Sequence, residues 1–271
     1  MKKVSIIMGI YNCADTLSYS IESILEQSYK EWELILCDDC SNDGTAEIAS
    51  DYANKNINIK FIRNEKNMGL AFSLNRCLEL ASGDYIARMD GDDICLKDRL
   101  DKQVKFLEEN SQYDVVGSSV ILFDQNGEHA IRKMKAIPNK FDLIQSVPHI
   151  HPTIMMRKLA YDELGGYVVS KITKRGQDMD LWFRFYANGY KGYNMQEPLL
   201  KYHESINDYK KRSWSVAIMA VKRRYNGYRL LKLPAITYIY ALKPIVSAMI
   251  PNKIMYIYHK RIKGKSNDSI N

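Results

Sequence analysis

The feature that most constrains the fold is a regular alternation of short β-branched apolar runs with longer segments of helical periodicity. Strand-like runs cover residues 4–8, 33–37, 59–62 and 85–88. Between them, segments 14–27, 43–53 and 69–81 place apolar side chains at helical spacing. Strands that alternate with helices through short loops predict a parallel sheet covered by helices on both faces. We therefore expect an α/β fold in which ligands bind beyond the carboxyl ends of the strands.

Aromatic and acidic residues follow three of these strands, at that predicted ligand-binding edge. The first run leads into Tyr11, the second into Asp38 and Asp39, and the fourth into Met89-Asp90-Gly91-Asp92-Asp93. Three carboxylates in four residues repel one another, and a divalent metal that carries a phosphate-bearing ligand would neutralise them. Together these residues predict a site that stacks a base and holds a nucleoside and a metal. A solvated acidic turn at 90–93, a ring that merely caps the sheet, and turn roles for Asp38 or Asp39 are the alternatives.

Two other classes of site are disfavoured by the sequence. It has no Gly-x-Gly-x-x-Gly or Walker-type loop, which argues against dinucleotide oxidoreductases and nucleoside-triphosphate hydrolases. Cys37-Asp38-Asp39-Cys40 has zinc-like spacing but no second Cys pair or paired His. The five scattered cysteines suit reduced thiols in a cytosolic protein. The N-terminus enters a strand without a signal-peptide pattern, so we expect the chain to stay inside the cell.

Several short motifs, in their order and spacing, resemble glycosyltransferase family 2 over about the first 205 residues. The motifs are Val4-Ser5-Ile6-Ile7-Met8 with Tyr11-Asn12, Cys37-Asp38-Asp39-Cys40-Ser41, Asn67-Met68-Gly69, Asp90-Gly91-Asp92-Asp93, His151-Pro152-Thr153, and Gly176-Gln177-Asp178-Met179-Asp180-Leu181-Trp182. The resemblance implies a GT-A fold, with a mainly parallel central sheet flanked by helices and a Rossmann-like nucleotide-binding half. The sequence departs from the family pattern at Gly9, where Pro is usual, at Cys40, where Gly is usual, and at Gln177, where Glu is common.

The same resemblance implies a nucleotide site in the first half of the chain. Tyr11 would pack on the base, Asp39 would hydrogen-bond the nucleoside, and Asp90 would lie near the ribose. Arg63 and Asn67 fall in the segment that lines the nucleotide cleft.

The resemblance also assigns the metal, the catalytic base and the acceptor side. Asp92 would bind Mn²⁺ or Mg²⁺ that bridges the donor diphosphate, with His203 as a further ligand; the alternative is a surface or packing role for His203. Asp178 would be the catalytic base, although a helix N-terminus also favours an acid there. Residues expected on the acceptor side are Asp93, His151 and Trp182; Asp93 as a turn residue and His151 packed beneath the site are the alternatives.

The basic charge of the chain is concentrated near its C-terminus. Residues 210–265 contain 14 Lys and Arg and no Asp or Glu, whereas the rest of the chain has 25 basic and 32 acidic residues. Aromatic and aliphatic residues are interleaved with these basic residues, and prolines interrupt the segment. Its apolar stretches are therefore too short to cross a membrane. They suit the surface of an anionic membrane; a helical extension packed on the catalytic domain is the alternative. We predict a catalytic domain over 1–208, with a nucleotide-sugar-binding half over 1–110 and an acceptor-side half over 111–208, and a basic amphipathic C-terminal helical extension over 209–271.

These features together predict a metal-dependent, inverting glycosyltransferase. We expect it to move a sugar from a nucleotide-diphosphate sugar, a UDP-sugar by the resemblance, to a glycan or lipid-linked acceptor in bacterial-type surface polysaccharide synthesis. It would be cytoplasmic, peripheral on the inner face of the cell membrane, and would bind no nucleic acid. The alternative is a non-catalytic membrane- or polyanion-binding protein on a GT-A-like scaffold. A nucleotidyltransferase is disfavoured because the expected glycine-rich activating loop is missing.

Overall fold

One sheet runs through the structure, a computed structural model that describes residues 1–204 and 213–249. Within those residues the strands are β1 (Val4–Ile10), β2 (Trp32–Asp38), β3 (Ile59–Arg63), β4 (Tyr85–Arg88), β5 (Ile94–Cys95), β6 (Val115–Asp124), β7 (Gly127–Arg132), β8 (Met155–Arg157) and β9 (Gly192–His203). They lie in the order β3-β2-β1-β4-β8-β6-β9-β5, with β7 paired to β6.

Helices cover both faces of this sheet. The α-helices are α1 (Ala14–Leu25), α2 (Thr45–Lys55), α3 (Leu70–Leu80), α4 (Arg99–Glu109), α5 (Lys158–Leu164), α6 (Gln177–Ala187), α7 (Trp214–Leu230) and α8 (Lys243–Met249). Short 3₁₀ helices cover Asp142–Ile144, His151–Thr153 and Ala235–Leu242. The helix predicted from residue 43 begins at Thr45, because Gly44 takes the N-cap position with φ +91°, a conformation that glycine adopts without strain.

The first half of the sheet is parallel throughout and brings the predicted nucleotide residues to one edge. In register, Ile10 of β1 lies beside Asp38 of β2, which lies beside Arg63 of β3. Every residue of β2 is buried, as expected of a strand covered on both faces. Beyond β4 the pairing becomes mixed, with β8 antiparallel to β4 and β6, and β6 parallel to β9. The predicted α/β fold with a mainly parallel sheet is confirmed.

The C-terminal segment packs on the helix that carries the predicted base. Tyr228 and Leu231 are buried in the same apolar core as Trp182 and Phe183 of α6. This packing matches the alternative of a helical extension on the catalytic domain. The boundary at residue 208 stays a prediction, and residues 209–212 and 250–271 of the extension lie outside the described residues. None of the helices described is both long and apolar enough to span a membrane.

Candidate active site

The turn after β2 is held by an ion pair between a buried carboxylate and an exposed arginine. Asp38 is fully buried and accepts a hydrogen bond from the backbone N–H of Ser41 at 3.1 Å. The guanidinium Nε of Arg63 lies 2.9 Å from its carboxylate, and Arg63 Nη2 donates to Ser41 O at 2.7 Å. Asp38 is therefore the acid that serves the turn. Arg63 is engaged with that turn, and its predicted nucleotide contact stays a prediction.

Asp39, by contrast, organises the predicted nucleoside site. Its Oδ1 accepts hydrogen bonds from Asn64 Nδ2 and the Met68 N–H, each at 2.8 Å, and its Oδ2 accepts one from the Gly69 N–H at 2.7 Å. A carboxylate has about four acceptor positions, so one on Oδ2 is left for a nucleoside hydroxyl or amide. Asn64, to which the sequence assigned no role, is thus one of the residues that hold Asp39 in place.

The first strand ends in an exposed ring over this edge. The side chain of Tyr11 is 49% exposed, so its face is accessible to a base. The next residue, Asn12, has φ +48° and donates its N–H to Ser41 Oγ at 2.9 Å. Asn67, which follows β3, lines a cavity of about 210 Å³ with Lys171. The nucleotide contacts predicted for Tyr11 and Asn67 stay predictions.

The acidic cluster gathers its three carboxylates around one point. Oxygen atoms of Asp90, Asp92 and Asp93 all lie within 4.8 Å of one another. Asp90 forms an ion pair with Arg88, a side chain that is 2% exposed. Arg88 ends β4 directly before the cluster, so its position was readable from the sequence, but its role as a buried counter-ion was not.

His203 lies beside the cluster at the end of β9, and its predicted role as a metal ligand stays a prediction. Its Nδ1 lies 3.5 Å from Asp92 Oδ2, and its backbone N–H donates to Asp93 Oδ1 at 3.0 Å. Asp93 is 1% exposed, and burial, reinforced by the charges of Asp90 and Asp92, raises the pKa of its carboxyl well above the usual range. Asp93 therefore anchors β9 to the cluster rather than lining open space.

The donor set fits a hard divalent cation. Three carboxylates and an imidazole supply oxygen and nitrogen ligands of the kind that Mg²⁺ or Mn²⁺ accepts. Asp93 Oδ2 is buried without a hydrogen-bond partner among the residues described. A cation beside the cluster would reduce the repulsion among the three carboxylates. Asp92, which is half exposed, is the carboxylate most open to such a ligand.

Asp178 lies in the first turn of α6, after Gly176 at the N-cap with φ +122°. Its Oδ1 accepts the Met179 N–H at 2.7 Å. Burial raises the pKa of its carboxyl, while the Met179 hydrogen bond and the charges of Arg223 and Arg88 oppose that shift. Asp180, two residues on, is not aligned with Asp178 and pairs with Arg184 Nε at 2.9 Å.

One cavity of about 290 Å³ joins the two halves of the site. It is lined by Asp90 and Arg88 from the β4 end, Asp178 and Gln177 from α6, His151 and Ile150 from the preceding segment, and Arg132 and Tyr202 from β7 and β9. Arg132 lies over the Tyr202 ring, with its Cζ 5.8 Å from the ring centroid. A cavity lined by a carboxylate from each half, one of them in a cluster that suits a cation, is an arrangement suited to substitution at an activated carbon.

His151 and Trp182 lie deeper than an acceptor contact requires. His151 is 7% exposed and its Nε2 lies 2.8 Å from Tyr167 Oη. Burial, with Arg88 nearby, lowers the pKa of His151 well below its usual range, so the ring is neutral. Trp182 is fully buried, with its ring edge-on to His151. Trp182 thus supports the cavity floor, while His151 packs beneath the site and still lines it; their acceptor-side roles stay predictions.

The chain is similar to known glycosyltransferases over most of its length. The profile of the family described as "Glycosyl transferase family 2" matches residues 5–165. "Putative glycosyltransferase EpsE" of Bacillus subtilis is 49% identical over 260 residues, which is 96% of this chain and 94% of that protein. "Putative teichuronic acid biosynthesis glycosyltransferase TuaG" of the same organism is 31% identical, covering 79% of this chain and 84% of its own. "Amylovoran biosynthesis glycosyltransferase AmsE" of Erwinia amylovora is 28% identical, covering 96% and 99%.

Solved structures share the fold. S. aureus TarS 1-349 in complex with UDP-GlcNAc superposes with a TM-score of 0.68 at 18% identity, over 92% of this chain and 82% of that one. The mannosyltransferase PcManGT from Pyrobaculum calidifontis, in complex with GDP-Man and Mn2+, gives a TM-score of 0.64 at 17% identity, over 96% and 80%. At these identities the likeness establishes the architecture.

Proposed function

Since the chain belongs to glycosyltransferase family 2, we propose that it transfers a sugar, with inversion, from a UDP-sugar to a glycan or lipid-linked acceptor. The observation that carries the proposal is the shared cavity of Asp90 and Asp178, beside the carboxylate cluster that Asp92 and Asp93 complete. TarS has been seen with UDP-GlcNAc and PcManGT with GDP-Man and Mn2+, which supports a nucleotide-sugar donor and a divalent cation here.

The donor would lie along the carboxyl edge of β1, β2 and β4. Tyr11 would stack on the base, and the free acceptor position of Asp39 would hold the nucleoside. Asp92, with His203, would hold Mn²⁺ or Mg²⁺ against the diphosphate. A cation there would neutralise the charge that grows on the departing nucleotide diphosphate.

Asp178 would act as the general base on the opposite side of the transferred sugar. As the acceptor oxygen attacks the anomeric carbon, its proton passes to the Asp178 carboxylate and the bond from that carbon to the diphosphate oxygen breaks. Inversion follows because attack and departure occur on opposite faces. A base of this kind is worth about 10²–10⁴-fold in rate, so Asp178 supplies roughly 3–5 kcal/mol of the catalytic effect.

The pathway and location extend the same proposal. TuaG and AmsE are named for teichuronic acid and amylovoran biosynthesis, and we propose surface polysaccharide assembly for this chain. It would work at the inner face of the cell membrane, where a lipid-linked acceptor is exposed.

We propose that only the exposed part of the C-terminal segment would touch that membrane. Arg223 and Arg224 are each 8% exposed, so they serve the protein interior rather than lipid headgroups. The exposed apolar side chains of the last described helices are Ile236, Ile239, Tyr240, Leu242, Val246 and Met249, with Lys243 among them. Apolar residues with a nearby cation suit the headgroup region of an anionic leaflet.

The function is tested by separating binding from transfer with two variants. With Mn²⁺ and either UDP-glucose or UDP-N-acetylglucosamine, UDP release would be measured with water as the acceptor. Asp92→Ala should lose both Mn²⁺-dependent UDP binding and turnover, whereas Asp178→Asn should keep UDP binding and lose about 10²–10⁴-fold in turnover. Asp180→Asn, in the same helical turn but paired with Arg184, is the matched control and should retain activity. Unchanged turnover in both test variants would refute the proposed roles of Asp92 and Asp178, and no turnover by the wild-type chain would favour the non-catalytic binding protein.

A further inference from the structure

An arginine from the C-terminal helix is buried against the start of the helix that carries the proposed base. Arg223 of α7 is 8% exposed. Its Nη1 donates to the carbonyl oxygen of Ile172 at 2.9 Å. Its guanidinium lies so close to Gly176 that a Cβ added there would overlap Cζ, Nη2 and Nε. Gly176 is the N-cap of α6, and Asp178 is the second residue of that helix.

This contact exists because Gly176 has no side chain. The residue has φ +122°, which other residues rarely adopt, and its bare Cα leaves a surface on which a planar guanidinium rests. Arg223 thereby joins three parts of the chain that are distant in sequence: α7, the segment around Ile172, and the first turn of α6.

The contact also brings opposite charges together in a place of low solvent access. Burial lowers the pKa of the Arg223 guanidinium, and the charges of Asp178 and Asp180 oppose that shift. Reciprocally, Arg223 and Arg88 oppose the rise that burial imposes on the pKa of Asp178. Burying a charge is costly unless an opposite charge compensates it. Arg223 Nε has no hydrogen-bond partner within the described part of the chain. The nearby charges of Asp178 and Asp180 are therefore what compensates the burial of its charge.

Other groups face Asp178 across the cavity or through the protein. They are Arg88 from β4, Asp90 after it, Arg132 from β7, Tyr202 from β9, His151 from its 3₁₀ helix, and Tyr167 ahead of α6. Arg88 forms an ion pair with Asp90, and Arg132 Nη2 forms one with Glu204 Oε1 at 2.6 Å. His151 is neutral, since its pKa is lowered by burial. Among the residues that the structure describes, Arg223 is thus a cation beside the start of α6 that forms no such ion pair with a carboxylate.

We infer that α7 is part of the catalytic apparatus, and that Arg223 is a positioning residue that fixes the start of α6 and supplies a compensating charge to Asp178. This inference rests on the proposed role of Asp178 as the base. It assigns a role in the reaction to residues well beyond 5–165, the segment that the family profile covers.

The charge is tested directly by measuring the pKa of Asp178 without any substrate. Carboxyl-labelled aspartate would be followed by ¹³C NMR as a function of pH, with the Asp178 resonance assigned through Asp178→Asn. Arg223→Gln and Arg223→Met both remove the charge, and Arg223→Gln retains an N–H donor. If only one of the two variants folds, that variant is sufficient for the measurement. Each should raise the pKa of Asp178 by about one unit or more, whereas Arg223→Lys should leave it near the wild-type value.

Arg224 supplies the matched control. It is buried to the same extent on the same helix, and it donates to Ile144 O at 3.0 Å instead of to Ile172 O. Arg224→Met should leave the pKa of Asp178 within about 0.3 units of wild type, even if it lowers stability.

Three results are informative. A raised pKa in the neutral Arg223 variants, with an equal upward shift of the acid limb of UDP release from UDP-glucose, supports the inference. An unchanged pKa in a folded neutral variant overturns it, whatever happens to activity. A raised pKa with no UDP release from any UDP-sugar, even by the wild-type chain, supports the coupling of Arg223 to Asp178 and instead defeats the proposed function.

Discussion

Gly227 of α7 lies directly against the ring of Phe183 in α6, and a Cβ at Gly227 would overlap that ring. The two helices approach at this point because one of them has no side chain there. Phe183 belongs to the same buried apolar core as Trp182 and Tyr228, so the contact lies within that core. The C-terminal helix is therefore packed into the catalytic half, and its burial does not depend on a membrane.

Gly227→Ala should destabilise the protein although it raises intrinsic helix propensity. The added methyl group forces α7 away from Phe183, and overpacking of this kind costs about 1–3 kcal/mol. Chemical unfolding in urea would measure the loss. Asn226→Ala, at the exposed neighbouring position, is the control and should be neutral or slightly stabilising. Equal stability of the two variants would contradict the close packing.

Nucleotide binding should stabilise the folded chain in a metal-dependent way. UDP with Mn²⁺ at 100 times its Kd should add about 2.7 kcal/mol to the free energy of unfolding, a rise in Tm of about 5–10 °C for a chain of this size. UDP, GDP, CDP and ADP would be compared by thermal shift with and without Mn²⁺. Asp92→Ala should abolish the rise. The donor site would be refuted if no nucleotide shifted the melting of the wild-type chain.

Cys40→Gly should stabilise the protein. Cys40 has φ +64°, a left-handed conformation that costs an L-residue about 1–2 kcal/mol, while glycine gives back roughly 0.5–1 kcal/mol in entropy. The expected gain is about 0.5–1 kcal/mol, measured as a higher urea midpoint. Asn12→Gly is the control, because Asn12 also has positive φ but its Oδ1 accepts the Asn42 N–H at 3.0 Å. A gain in the control and none at Cys40 would refute the strain argument.

Glu33 should make the stability depend on pH in the acid range. Burial alone would raise the pKa of its carboxyl, but hydrogen bonds from Ser5, Lys60 and Ser82 hold it well below the usual range. Because folding lowers this pKa, ionised Glu33 stabilises the fold above its unfolded pKa of about 4.3. That contribution is lost as the pH falls below this value.

Glu33→Gln should therefore be about 2 kcal/mol less stable than wild type at pH 7, with the difference shrinking below about pH 4. Urea unfolding at pH 7, 5, 4 and 3.5 would follow the difference. Glu31→Gln, at an exposed position nearby, should stay within about 0.5 kcal/mol throughout. A difference at Glu33 that remained constant down to pH 3.5 would rule out the linkage.

Removing exposed apolar side chains near the C-terminus should weaken vesicle binding. Ile236 and Ile239 are 79% and 67% exposed, and burial of such side chains in lipid favours binding by about 1.5–3 kcal/mol each when complete. Co-sedimentation with phosphatidylglycerol-containing vesicles should fall about tenfold in Ile236→Ser/Ile239→Ser. Ile57→Ser, which removes a 99% exposed isoleucine from the nucleotide half, should bind as wild type. If the double variant also binds normally, this surface is not the contact.

The fold was predictable because its local signals agree with one another. Apolar runs with β-branched residues became β1 to β4, and periodic segments became α1 to α3, each within a few residues of the expected bounds. The grouping of Asp90, Asp92 and Asp93 followed from their position after β4. The approach of His203 could be inferred from family resemblance, since β9 lies far along the chain.

The rest depends on tertiary packing that composition does not show. A run of basic residues suggested a solvent- or lipid-facing tail, yet Arg223 and Arg224 point inward because backbone carbonyls at Ile172 and Ile144 accept their N–H groups. Likewise, nothing local indicates that Trp182 is enclosed or that Asp39 already holds three donors. The functional roles of these residues remain predictions.

The three hydrogen bonds to Asp39 have a consequence for how a donor arrives. Met68, Gly69 and Asn64 hold the carboxylate and its loop in place through contacts within the protein alone. No ordering of that loop is then needed on association. We expect nucleotide capture at this edge to behave as a single rapid step, close to lock-and-key recognition, so that discrimination between bases appears in the dissociation rate.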